Sequence, residues 1–134
     1  MTQETPQFPD RLREHPDQRF AAAQRKVDLE AATAELRAEG RPGSRGHHQK
    51  TLYRHGNATI ALFLFEAGGR LAEHATAGTV SIHALDGRLR VNAGGEAHEL
   101  TAGQLVVLAP GVAHDLTAVE PTRMLLTVHL EPGR

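Results

Sequence analysis

From His47 onward the chain drops its helical period for a period of two, and glycines cut the new pattern into short pieces. Successive side chains of a strand point to opposite faces, so this alternation implies a sheet with at least one buried face. Thr79 to Leu85 sets Val80, Ile82 and Ala84 against Ser81, His83 and Leu85. Asp86-Gly87 is a two-residue hairpin signal, leading into Leu89 and Val91 on the return strand. Ala58 to Phe65 is apolar at both parities, as in a strand covered on both sides. Asn92 to Gly95 reads as a turn, Glu96 to Leu100 as a short strand, and Thr101 to Gly103 as another turn. Leu105 to Leu108 reads as a buried strand that ends at Ala109-Pro110-Gly111, and Met124 to Leu130 closes the set. Short strands separated by frequent turns predict an antiparallel sandwich or barrel.

The N-terminal part differs in kind. Met1 to Pro16 is a polar arm carrying prolines, and Asp17 to Glu39 is predicted to be a helix, free of Gly and Pro. Phe20, Val27, Ala31 and Ala34 fall on one face of it, while Leu29 and Leu36 form a second stripe. Asp17 is the expected cap, and Gly40 with Pro42 is a stop signal. Arg41 to Gly46 reads as a linker. The expected organisation is therefore residues 1–46 as arm and helix, and residues 47–134 as the barrel.

Composition narrows the function. A chain of 134 residues suits one domain with an appendage. Aromatics are only 4%, so aliphatic side chains must fill the interior. There is no Cys, which excludes disulfides, thiolate metal sites and a cysteine nucleophile. The 15 basic and 16 acidic residues are interspersed, with no basic stripe, so no nucleic-acid partner is expected. No signal-like segment and no apolar run of about 20 residues occurs, so no membrane association is expected and a cytoplasmic location follows by default.

Two glycine-bounded segments carry the chemistry. Gly69-Arg70-Leu71-Ala72-Glu73-His74-Ala75-Thr76 runs on to Gly87, and Gly103 runs through Pro110-Gly111 to His114. On these residues the region from about Lys50 to Leu130 resembles a small single-domain cupin, an RmlC-like jelly roll. The first cupin motif runs from Gly through His-x-His and Glu to a second Gly; the second runs from Gly through Pro-x-Gly to His and Asn. Here Gly68 or Gly69, His74 and Gly87 match the first motif, and Gly103, Gly111 and His114 match the second. The resemblance implies an all-β antiparallel jelly-roll barrel, which the predicted N-terminal helix precedes as an extension. It also implies a divalent metal (Zn, Fe, Mn or Ni) held by three His and one Glu.

The departures matter as much. Thr76 stands at the second His of the first motif and Val80 at the Glu; Ala109 and Ala118 replace the motif Pro and Asn. Only His74 and His114 remain as metal ligands, an incomplete set for zinc or for a two-His-one-carboxylate iron site. Strand parity sends His83 and Glu73 to the wrong face to repair it. Thr76 has the right parity and reads as a polar lining residue. The expected pocket is thus His74, Thr76, Val80, Ile82 and His114, and its expected partner is a small-molecule ligand.

Three functional readings follow. The first is a small-molecule-binding cupin. The second is a metal-dependent cupin enzyme of the dioxygenase, isomerase or decarboxylase class. The third is a non-catalytic regulatory or interaction module. The resemblance also implies a homodimer, and the helix has two placements, on its own barrel or against a neighbouring subunit. His47 and His48 read as a solvated linker pair, and His129 has no assigned face.

Overall fold

In this computed structural model the structure describes residues 22–130. Among these residues one helix, α1 (Leu29–Arg37), precedes nine strands. They are β1 (His47–His55), β2 (Ala58–Phe65), β3 (Arg70–His74), β4 (Gly78–Ala84) and β5 (Arg88–Ala93). β6 (Glu96–Thr101), β7 (Leu105–Leu108), β8 (His114–Ala118) and β9 (Thr122–Leu130) follow. Two antiparallel sheets result, one ordered β1-β2-β9-β4-β7 and the other β3-β8-β5-β6. This is the antiparallel two-sheet architecture expected from the alternation, and the all-β jelly roll that the resemblance implies.

The main core lies between the sheets. Val80, Ile82 and Ala84 of β4 meet Leu89 and Val91 of β5, Leu116 of β8 and Met124 of β9, all buried. Each fully buried aliphatic side chain of this kind contributes about 1.5–3 kcal/mol. β4 alternates buried and half-buried along its whole length, so Ser81 and His83 face outward.

A second cluster sits on the outer face of the larger sheet. Ala32 and Leu36 of α1 cover Leu52, Leu62 and Leu64, so the helix lies on its own barrel. That explains the double apolar parity of β2: one face serves the core and the other serves α1. Among the described residues no helix is long and apolar enough to cross a membrane.

The helix departs from expectation at its start. It begins at Leu29, capped by Asp28, whose carboxylate accepts from the Ala31 amide at 3.0 Å. Residues 22–28 are not helical. The expected cap Asp17, with Phe20, lies outside the described residues. Of the first expected stripe, Val27, Ala31 and Ala34 are exposed, so a helical 22–28 would find no surface to bury them on. This stretch is instead pinned to β1: the Tyr53 hydroxyl donates to the Ala22 carbonyl at 2.6 Å, and the Arg25 guanidinium lies 5.5 Å from the Tyr53 ring centre.

His47 and His48 are also not a solvated linker pair. Both belong to β1 and both are half-buried. His47 packs on the rings of Phe63 and Phe65 at centroid distances of 5.5 and 5.3 Å. On the other face, His48 Nε2 lies 2.9 Å from the Gly40 carbonyl, which ties the end of the helical segment to the sheet.

Candidate functional site

β3 ends at His74 just before β4 begins, and β7 ends just before β8 begins at His114. The two connections therefore sit at one end of the barrel and bring both histidines there. In the β3–β8 ladder His74 lies directly opposite His114. That pairing depends on a bulge: between Leu71 and His74 the register shifts, so Ala72 and Glu73 together oppose Asp115. The extra residue turns His74 onto the face of Leu116 and His114 and leaves Glu73 exposed.

The imidazole rings are 4.3 Å apart between centroids, tilted by 58°. His114 is buried, only 3% exposed, while His74 is open to solvent. Each Nδ1 lies 2.9 Å from a carbonyl two residues back, Ala72 for His74 and Val112 for His114. A carbonyl only accepts, so each Nδ1 carries the proton. In the neutral rings both Nε2 atoms are left as free lone pairs. Two fixed, unprotonated nitrogens on facing strands can accept from a ligand hydroxyl or amine, or hold one side of a cation.

Thr76 plays a different part. Its hydroxyl donates to the Gly78 carbonyl at 3.1 Å and accepts from the Gly78 amide at 3.3 Å. Its own carbonyl accepts from the Gly111 amide at 2.8 Å, tying together the two loops that carry the histidines. Val80 and Ile82 face the interior but are 2% and 0% exposed, packed in the closed core. They form the apolar base of the barrel.

The donor set does not fit a resident metal centre. Among the described residues no group of three or more His, Asp or Glu converges. An apolar Val80 stands where the carboxylate would be needed, and two imidazoles fall short of the three or four protein ligands such centres use.

Parity along β1 reveals a polar wall that the sequence reading missed. His47, Gln49 and Thr51 pair with Phe65, Phe63 and Ala61, so they share the inner face with core residues. A bulge between Thr51 and Tyr53 then leaves both Leu52 and Tyr53 outside, and Arg54 turns inward opposite Thr59. These polar residues are all half-buried, unlike the closed face of β4. The half-buried, polar part of the inner face therefore runs along β1. The alternation His47-x-Gln49-x-Thr51 was the available signal. At the start of this wall, burial among the phenylalanines holds the His47 imidazole below its ordinary pKa, against a raising hydrogen bond from Gln49. Its Nδ1 is buried without a partner in hydrogen-bond geometry, although the nearby Arg45 backbone favours the charged ring.

A separate cavity of about 300 Å³ lies at the opposite end of the larger sheet, lined by Arg37, Pro42, His48, Leu64, Glu66 and Arg123 among others.

The family model for the cupin domain matches residues 61–129, just over half of the chain. The chain belongs to the cupin family. Among solved structures it is similar to a conserved protein of unknown function from Streptococcus pyogenes. That match has 23% identity and a TM-score of 0.64, covering 86% of this chain and 94% of the other. It is also similar to an RmlC-like cupin from Shewanella frigidimarina, with 19% identity and a TM-score of 0.63, covering 69% and 84%. A salicylate 1,2-dioxygenase variant from Pseudoaminobacter salicylatoxidans matches at 18% identity and a TM-score of 0.61. There the match covers 74% of this chain and only 31% of the larger one. At these identities the likeness concerns the fold. No curated protein matches the chain.

Proposed function

We propose that this chain is a small-molecule-binding cupin whose ligand sits at the barrel end, between His74 and His114. One observation carries the reading: the two rings lie 4.3 Å apart, with both Nδ1 atoms fixed by backbone carbonyls. Both tautomers are set so that the free lone pairs belong to Nε2, which leaves two acceptors on rings in contact with each other. The half-buried strip on β1 supplies further polar contacts, and the aliphatic core below suits an apolar ligand body.

The second reading is a metal-dependent enzyme. The same Nε2 pair supports it, and so does a fold shared with a dioxygenase. The donor count weighs against it, because ligand or water would have to supply half or more of the coordination shell. The tests separate the two. In protein purified without an affinity tag, elemental analysis is expected to find less than stoichiometric Zn, Fe, Mn or Ni, with stability unchanged on chelation. Stoichiometric metal that chelation removes, with loss of stability, would establish the enzyme reading instead. A fragment screen read on the histidine Cε1–H resonances is expected to move those of His74 and His114 saturably; a screen in which neither moves would sink the binding reading.

We also propose a homodimer through the outer face of β9, β4 and β7. Leu105 and Val107 there are 50% and 57% exposed, beside Ser81, His83 and Thr127 in a stretch of sheet that carries no Lys, Arg, Asp or Glu. α1 covers only the β1–β2 side of this face. Among the described residues β7 is also an edge strand whose outer main-chain groups pair with no strand. A second copy of the same uncharged surface is the complementary partner.

A further inference from the structure

We propose that Arg54 is the anion anchor of this site, and that the ligand is a small organic carboxylate. Its negative charge pairs with the Arg54 guanidinium, and a hydroxyl or amine on the same molecule donates to the free Nε2 of His74 or His114. The inference rests on the binding reading above and adds the ligand class to it.

The bulge in β1 makes the arrangement. Leu52 is buried in the outer cluster under α1, and Tyr53 spends its hydroxyl on the Ala22 carbonyl, so both side chains point away from the interior. Without the bulge Arg54 would join them. With it, Arg54 pairs with Thr59, which pairs with Val128, which pairs with Val80, which pairs with Leu108. That row crosses the inner face of the larger sheet. Val80 follows the loop that leaves His74, and Leu108 starts the loop that reaches His114. Arg54 therefore enters the interior at the histidine end of the barrel.

Arg54 is half-buried on that inner face. Arg88, Arg90 and Arg123 each meet a Glu or Asp within 4 Å. Among the described residues Arg54 has no such acidic partner, and its row neighbours Thr59 and Val128 are uncharged. A guanidinium stays charged at any physiological pH, and half-buried it gains most from an anion that fits its planar fork. Carboxylate meets that fork with two parallel hydrogen bonds. Arg54 is the one charged side chain of this row, and a single cation balances a single negative charge, which favours carboxylate over phosphate. Val128 and Leu126 offer apolar surface to the ligand body.

The test uses 3-hydroxybutyrate, its methyl ester and inorganic phosphate as probes on the full chain, followed by NMR at the His74, His114 and Arg54 side chains. The acid is expected to bind saturably and the ester at least about tenfold more weakly, the usual scale of one charge-assisted contact. Arg54→Gln is expected to lower the acid to the ester's affinity while leaving the ester unchanged. Equal binding of acid by wild type and Arg54→Gln would overturn the anchor and leave the pocket reading intact. Phosphate binding as tight as the acid would overturn the carboxylate assignment. If no probe moves the histidine resonances, the pocket reading and this inference fall together. Should Arg54→Gln fail to fold, Arg54→Lys decides: a weakened acid preference supports the anchor, and an unchanged one overturns it.

Discussion

Asp86 and Arg123 are joined twice, by the Arg123 Nε donating to Oδ2 at 2.7 Å and by the Arg123 amide donating to Oδ1 at 2.9 Å. The carboxylate comes from the β4–β5 connection and the guanidinium from β9. β4 and β5 lie in different sheets, so the hairpin expected at Asp86-Gly87 does not form and the ion pair instead fixes the crossing between the sheets. The same guanidinium donates to Glu30 at 2.9 Å and to the Thr33 hydroxyl at 3.3 Å, both on α1. Arg123 is held above its ordinary pKa chiefly by the Asp86 hydrogen bond. The residue pair that reads locally as a hairpin turn thus carries the chain from one sheet to the other and docks the helix.

Asp86→Ala is expected to cost about 1–2 kcal/mol, because it strands a partly buried guanidinium and a backbone amide. Urea unfolding would report the loss, and hydrogen exchange would show the α1 amides released earlier than the core strands. An unchanged midpoint would mean the pair is only a surface contact.

The motif glycines differ in what holds them. Gly87 and Gly103 both adopt a left-handed backbone, at φ +76° and +86°. A Cβ on Gly87 would collide with Thr122 and the Pro121 carbonyl, whereas one on Gly103 meets nothing within 4 Å. Gly103→Ala is therefore expected to cost about 1 kcal/mol, from backbone strain alone. Gly87→Ala should cost about 3 kcal/mol or more, since steric overlap adds to that strain. Equal melting temperatures for the two variants would contradict the difference.

How much of this was legible beforehand depended on whether a feature was local. Val80, Ile82 and Ala84 declared their face through plain alternation; Asp86-Gly87 declared a turn but not that β5 joins the other sheet, which cross-strand pairing decides. The bulges at Thr51/Tyr53 and Leu71/His74 are set by pairing across strands, so Arg54 could not be placed inside from the sequence. Helix propensity extended α1 back to Asp17, because propensity is blind to the sheet: Leu52, Leu62 and Leu64, with Ile60, Leu85 and Leu125 around them, offer the surface, and Leu29, Ala32 and Leu36 are the α1 residues that pack on it. Thr76 has lining parity, yet its hydroxyl closes a turn with Gly78, a bond that parity does not reveal.

Acid should act through His47 before it acts through most carboxylates. Burial lowers its folded pKa, so the unfolded chain binds the proton more readily. The stability it contributes is present above the ordinary imidazole value and is lost as pH falls through the lower folded value. Between about pH 7.5 and 5.5, where histidines titrate, the wild type is expected to lose stability. His47→Leu should lose less over that interval. Parallel urea midpoints for the two proteins across it would remove His47 as the cause.

The uncharged sheet face gives a test of assembly. Leu105→Lys with Val107→Lys is expected to convert the dimer to a monomer in analytical ultracentrifugation, with little change in unfolding midpoint at low concentration. If the wild type is itself a monomer at the same concentrations, the dimer proposal fails.

The central claim is that two Nε2 lone pairs, on His74 and His114, form one ligand site. Long-range ¹H–¹⁵N correlation of the imidazoles reads this directly, because it reports the tautomer of each ring and the response of each nitrogen. The expected spectrum has both rings protonated at Nδ1, with both Nε2 signals moving together to saturation as 3-hydroxybutyrate is added. Rings protonated at Nε2, or two Nε2 signals that fail to respond as a pair, would contradict the claim.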